Sequence, residues 1–249
     1  AVESLSKGLA FYHGKRYSEA IPHLNEAAHQ GNASAQYYLA ESFYKGLGVA
    51  QNLSEAVNWY RKSAEQGNHV AQYMLGYCYY FANGVTQDYS EAVKWFRKSA
   101  EQGDEYAQYM LGQCYYYGLG VTQDYSEAVK WWRISAEQGD KYSQYRLGNC
   151  YYNGHGVTKD YSEAVKWYRK SAEQGYKDAQ YKLGECYYNG RGVTRDYSEA
   201  VKWYRKSAEQ GYKDAQYKLG ECYYNGRGVT RDYSEAVKWY RKSAEQGYK

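Results

Sequence analysis

Within residues 176–211, Ala179, Leu183, Cys186 and Tyr187 fall at i, i+4, i+7 and i+8, the stripe of an amphipathic helix. A second stripe follows, Ala200, Trp203, Tyr204, Ser207 and Ala208, with Lys202, Arg205, Lys206 and Glu209 assigned to the outward side. Asn189-Gly190-Arg191-Gly192 separates the two, and Gly and Asn tolerate the positive φ that ends a helix. Val193 is the one apolar residue of the connector and is expected to plug the gap between the helices. Asp196, followed three residues later by Glu199, has capping-box spacing with Asp in place of Ser or Thr. The pattern predicts an antiparallel helical hairpin. Gly184 interrupts its first helix at a cost of about 1 kcal/mol relative to Ala, so a Gly kept at that place predicts close approach of a neighbouring helix.

The hairpin recurs. Tyr176–Gly211 and Tyr212–Gly247 are identical letter for letter. Trp59, Trp95, Trp131, Trp167, Trp203 and Trp239 keep a constant step of 36 residues, as do Cys78, Cys114, Cys150, Cys186 and Cys222. A fixed period of this size means small stacked units that bury their apolar faces against one another. The fold class expected is all-α, a right-handed α-solenoid of antiparallel helical hairpins. Residues 1–31 depart from the pattern: Phe11-Tyr12-His13-Gly14-Lys15-Arg16-Tyr17-Ser18-Glu19-Ala20 lacks the Gly-Val connector. Pro22 is expected in the first turn of a helix starting near Ser18. At the other end, Gly247, Tyr248 and Lys249 read as the start of a further unit. An open apolar face near Trp239, Tyr240 and Ala244 is expected to favour self-association.

Composition changes the picture in three respects. The mean hydropathy of −0.95 looks too polar for a folded chain, but 36 of the residues are Tyr, which bury large areas despite their polar tip. The 32 basic and 28 acidic residues leave a net charge of +4, a mixed surface that argues against a nucleic-acid footprint. No run approaches the 18 or so apolar residues of a membrane span. The compartment is not encoded; a natural chain of this kind is expected to be a soluble protein of the bacterial cytoplasm or periplasm. The five cysteines sit at equivalent places on successive units, too far apart for disulfides when helices pack about 8–10 Å apart. They read as small buried hydrophobes. No Gly-Lys-Ser/Thr follows the repeated Gly-Arg-Gly, the five histidines obey no ligand spacing, and every candidate group is repeated or isolated. The expectation is a non-enzyme without metal or cofactor.

The combination Ala179-x-x-x-Leu183-Gly184-x-x-Tyr187-x-x-Gly190-x-Gly192-Val193-x-x-Asp196, then Ala200-x-x-Trp203 and Ser207-Ala208-x-x-Gly211, resembles the Sel-one-like repeat, the longer-loop relative of the tetratricopeptide repeat. The resemblance covers residues 32–249 as six repeats in one continuous solenoid. Residues 1–31 are closer to a plain tetratricopeptide hairpin and read as an N-terminal cap. It also implies that the first helix of each hairpin lines a concave groove for a partner. On helical spacing, that face holds one constant row, Tyr37, Tyr73, Tyr109, Tyr145, Tyr181 and Tyr217, and a second, Tyr80, Tyr116, Tyr152, Tyr188 and Tyr224. Between them lie varying positions: Met74 and Met110; Tyr77, Gln113, Asn149, Glu185 and Glu221; Phe81 and Tyr117. The groove is more apolar across residues 68–139 and more charged across 176–247, so the first stretch is the expected hot spot.

The reading that follows is a protein-interaction scaffold binding a partner peptide or helix in a Tyr-lined groove. One alternative is an engineered or recently amplified consensus array with no dedicated ligand, motivated by the two identical units. Another is stacking of carbohydrate or single-stranded nucleic acid on the Tyr rows, against which stands the lack of concentrated positive charge.

Overall fold

The computed structural model describes residues 2–247, so Tyr248 and Lys249, read above as the start of a further unit, lie outside the described residues. Among the described residues there are 14 helices and no strand. In chain order they are α1 (Val2–His13), α2 (Tyr17–His29), α3 (Ala33–Lys45), α4 (Leu53–Glu65), α5 (His69–Phe81), α6 (Tyr89–Glu101), α7 (Glu105–Tyr117), α8 (Tyr125–Gln138), α9 (Lys141–Asn153), α10 (Tyr161–Glu173), α11 (Lys177–Asn189), α12 (Tyr197–Glu209), α13 (Lys213–Asn225) and α14 (Tyr233–Glu245). The protein is all-α, built of paired helices as in a helical solenoid. Two compact units divide it, residues 1–131 and 132–249, the boundary falling within α8.

In the second unit each hairpin follows from its sequence. Gly190 caps α11 with φ 68° in the left-handed region, and Asp196 caps α12 by accepting the Glu199 amide at 2.9 Å. Only half of the expected capping box forms. The Asp196 amide donates instead to the Tyr187 carbonyl at 3.0 Å. The Glu199 carboxylate is occupied by the Trp203 indole N–H at 3.1 Å and Lys202 at 2.9 Å. Within the hairpin, Ser207 donates to the Lys177 carbonyl at 2.8 Å. Between hairpins, Gln216 donates to the Ala208 carbonyl at 3.1 Å. Arg205, assigned outward from the sequence, is half-buried, and its guanidinium donates to the Tyr223 hydroxyl of the next hairpin at 2.6 Å.

The core lies between hairpins. One cluster joins Ala164, Val165, Tyr168 and Ala172 of α10 to Ala179, Leu183 and Cys186 of α11, with Trp203 of α12 closing it. The half-buried Val193 packs against the same cluster. The first unit repeats the scheme with α6, α7 and Trp131. How much each hairpin depends on the next shows on α12 and α14, which have the same sequence: Val201 is 4% exposed and Val237 55%. Trp239, assigned from the sequence to an open face, is buried, because its ring closes the α12–α13 core.

The first hairpin, α1 and α2, is joined by a short turn through Gly14, Lys15 and Arg16. Pro22 lies inside α2, beyond the first turn in which the sequence placed it, because the helix begins at Tyr17. All five cysteines are buried and free, and burial pushes each thiol up to about 12.

Candidate functional site

The role of the constant tyrosines follows from a glycine. A Cβ on Gly184 would stand 2.7 Å from the Tyr204 ring, so the bare backbone is a notch into which α12 sets that ring. Tyr181 and Tyr188, at i−3 and i+4 from the notch, flank it on one helix face. Their centroids lie 5.9 and 6.2 Å from that of Tyr204. The same bracket holds Tyr168 between Tyr145 and Tyr152 over Gly148. In the first unit it holds Phe96 between Tyr73 and Tyr80 over Gly76. Around Tyr60 it is formed by Tyr37 and Tyr44, with Ala40 in place of the glycine. The rows therefore brace the hairpins, and most of their rings are half-buried. Burial pushes the Tyr73 and Tyr80 phenols up to about 12.

What differs between hairpins is the set of positions between and beyond these brackets. In the first unit, Tyr77 and Phe81 extend the aromatic surface of α5. Centroids run from Tyr106 to Tyr73 (6.1 Å), Tyr73 to Tyr77 (6.1 Å) and Tyr77 to Phe81 (4.5 Å). Phe81 is 47% exposed and Tyr117, its counterpart on α7, 51%. Gln113 on α7 donates to the Tyr109 hydroxyl at 2.9 Å. In the second unit, Asn149 accepts from the Tyr168 hydroxyl at 2.7 Å. Glu185 accepts from the Tyr181 hydroxyl at 3.2 Å and from Lys182 at 2.8 Å. Glu221 pairs with Lys218 at 2.6 Å.

Of the residues assigned to the groove, Met110 alone is buried outright, at 8% exposure. It belongs to the α6–α7 core, where an unbranched thioether fills an irregular gap. Phe81, Tyr117 and Tyr224 are exposed. Tyr37, Tyr73, Met74, Tyr77, Tyr80, Tyr109, Gln113, Tyr116, Tyr145, Asn149, Tyr152, Tyr181, Glu185, Tyr188, Tyr217 and Glu221 are intermediate.

One concavity coincides with these positions. A pocket of about 250 Å³ opens between α3 and α5, lined by Glu41, Tyr44, Lys45, Tyr73, Met74 and Tyr77. Tyr73, Met74 and Tyr77 were expected there from the sequence; Glu41, Tyr44 and Lys45 were not. Glu41 is only 5% exposed. One of its oxygens accepts from the Tyr60 hydroxyl at 2.6 Å and the other pairs with Lys45. Burial, and then the Glu41 charge, holds the Tyr60 phenol far above its usual range. The 36-residue register carried the signal for Glu41, since it stands one step before Tyr77. No group of His, Cys, Asp and Glu able to hold a metal occurs among the described residues. None of the described helices is long and apolar enough to cross a membrane.

Hairpins of two helices of 12–14 residues, locked through a glycine notch and stacked through interhairpin cores, define a tetratricopeptide-like helical repeat protein. The chain belongs to the Sel1 repeat family, whose repeat matches at residues 33–68, 69–104, 105–140, 141–176, 177–212 and 213–248. The family is one of protein-interaction scaffolds, typically without enzymatic activity. The chain is similar to a Sel1 repeat protein from Oxalobacter formigenes, with 34% identity, 99% of this chain and 98% of that one covered, and a TM-score of 0.86. It is also similar to c5321, described as a protective antigen present in uropathogenic Escherichia coli strains, at 42% identity and TM-score 0.89. That match covers 92% of this chain but 49% of the other, so the present chain spans about half its length. The immunity protein Pa5087 from Pseudomonas aeruginosa, 22% identical over 86% of this chain and 81% of its own, shares the fold with a TM-score of 0.50. The curated proteins contain no match.

Proposed function

We propose that the chain is a protein-interaction scaffold that holds an extended segment of a partner protein on the aromatic face of α3, α5 and α7. The observation that carries this reading is the pocket between α3 and α5, continuous through Tyr77 with the exposed Phe81. Aromatic side chains give large contact area at little conformational cost, and clefts that desolvate them are where binding energy concentrates. Constant residues of this face brace the fold, whereas Phe81 and Tyr117, at one varying position, are exposed, as expected of a repeat surface adapted to one ligand.

The test is a peptide-display selection on the whole chain beside a triple variant, Tyr77→Ser, Phe81→Ser and Tyr117→Ser. Tyr73 and Tyr80 are poor probes because they clamp Phe96. Peptides enriched on the parent and lost on the equally stable variant are the expected outcome. Enrichment indifferent to the variant would overturn the assignment of the face. A second reading applies to residues 176–247, where identical repeats carry paired Glu–Lys side chains. This stretch extends the array by recent copying without a ligand of its own. Identical codons in the two copies are expected, and divergent ones would contradict it.

A further inference from the structure

The chain shows with its own residues what a row tyrosine accepts. In the second unit, the loop following α11 sends Arg191 back over the Tyr152 and Tyr161 rings, 5.7 and 6.0 Å from their centroids, with a hydrogen bond to the Tyr152 hydroxyl. Arg227 does the same one repeat later, over Tyr188 and Tyr197 at 5.6 and 5.9 Å, bonded to the Tyr188 hydroxyl. A planar guanidinium stacks on an aromatic face and still has donors to spare. At the corresponding place in the first unit the loop residue is Asn83, whose amide reaches the Tyr44 hydroxyl at 3.0 Å. A short neutral amide reproduces the hydrogen bond and not the cation over the ring.

Tyr44, one step before Tyr80 in the 36-residue register, also lines the α3–α5 pocket, and beside it stands Glu41. This carboxylate is nearly wholly buried, its inner oxygen held by Tyr60. Its counter-ion, Lys45, has a side chain 54% exposed. The buried carboxylate keeps a cation beside it, and the exposed ammonium on its flexible stem is the partner that a second cation can replace. Burial, and after it the Glu41 charge, also holds the Tyr37 phenol well above its usual range. The remaining walls are Tyr73, Met74 and Tyr77, apolar and aromatic surfaces suited to an aliphatic stem.

We infer that this pocket takes an arginine side chain of the bound segment, its guanidinium over Tyr44 and paired with Glu41 in place of Lys45. The inference rests on the reading that the α3–α5–α7 face binds a peptide. The arginine supplies in trans the ring contact that Arg191 and Arg227 make in cis, and pairs in addition with Glu41, whose counterpart beside Tyr188, Glu185, is held by Tyr181 and Lys182.

The test titrates the full chain with capped tripeptides Ac-Gly-X-Gly-NH2, in which X is arginine, lysine or citrulline, and follows amide shifts of α3 and α5 by NMR. Citrulline keeps the shape of arginine without its charge. The arginine peptide should bind about tenfold more tightly than citrulline, shifting Glu41, Tyr44 and Tyr77, with lysine between. Glu41→Gln, which keeps an oxygen for Tyr60, should remove most of that preference. Lys45→Ala should tighten arginine binding by about threefold, because it deletes the competitor. Opposite signs for the two variants cannot come from a general loss of structure. Arginine no tighter than citrulline, arginine no tighter than lysine, or Lys45→Ala weakening the binding would each overturn the arginine pocket. If display still selects peptides that the Tyr77, Phe81 and Tyr117 variant loses, the peptide-binding face stands without it. If selection fails as well, both fall.

Discussion

The first-helix faces of the two units share one frame and differ in what they show to solvent. In α5 and α7 two of the varying positions are Tyr77 with Phe81 and Gln113 with Tyr117; in α11 and α13 they are Glu185 with Asn189 and Glu221 with Asn225. The bracketing tyrosines and the ring they hold keep their geometry within a few tenths of an ångström in both. Where the second unit sets Arg191 and Arg227 over row tyrosines and pairs Glu185 with Lys182 and Glu221 with Lys218, the first leaves a pocket and the exposed Phe81, Tyr106 and Tyr117. Exposed rings also occur in the second unit, at Tyr142 and Tyr224, but its varying positions are charged or amide where those of the first are aromatic at Tyr77, Phe81 and Tyr117. A repeat fold holds constant what stacking requires, so the binding face is found by looking where identical scaffolds diverge.

Three perturbations separate the shared frame from the divergent surface. The largest effect concerns the frame. Gly120 and Gly192 both have positive φ, and a Cβ on either would lie 2.2 or 2.1 Å from the carbonyl oxygen of Tyr89 or Tyr161 in the preceding hairpin. Gly120→Ala and Gly192→Ala should each cost about 3 kcal/mol or more in urea unfolding, through backbone that cannot yield. Gly211→Ala, equally left-handed but with open space around it, should cost only about 1 kcal/mol. Unequal losses at Gly120 and Gly192 would break the premise that the two units share a frame.

Next comes the buried carboxylate. Tyr60→Phe removes the hydroxyl that holds Glu41 and should cost about 1.5–3 kcal/mol, the range for hydrogen bonds to charged groups. Tyr204→Phe should cost about 1 kcal/mol or less, because Glu185 takes its hydrogen bonds from Tyr181 and Lys182. Equal costs would mean that Glu41 is no more dependent on its partner than Glu185.

The smallest effect is a shift with pH. Tyr73 and Tyr80, on the first face, have phenols raised from 10.0 to about 12, chiefly by burial. A phenol raised in the folded state is favoured there in its neutral form. The stability it contributes is complete below pH 10 and is lost as pH rises through about 12. The urea midpoint should hold steady up to about pH 10 and fall above it. A midpoint flat to pH 12 would contradict the burial of these rings.

Much of this was legible in the sequence. The hairpin, its glycine caps and the buried cysteine column follow from periodicity, and Gly184 correctly announced a close approach. The bracket the tyrosine rows form around one ring was not legible, because helical spacing sets Tyr181 and Tyr188 opposite the Ala–Leu–Cys stripe. Only the notch at Gly184 lets Tyr204 reach across to them. Glu41 was missed because a carboxylate on an apolar helix reads as solvated; its burial depends on Tyr60, 19 residues away. Met110 misled because a flexible side chain chooses core or surface by the gap it meets.

A display-selected peptide can be located by hydrogen exchange on the whole chain. Slowed exchange should concentrate in α3, α5 and α7, with α11 and α13 unchanged. Protection centred on α11 and α13 would contradict this placement.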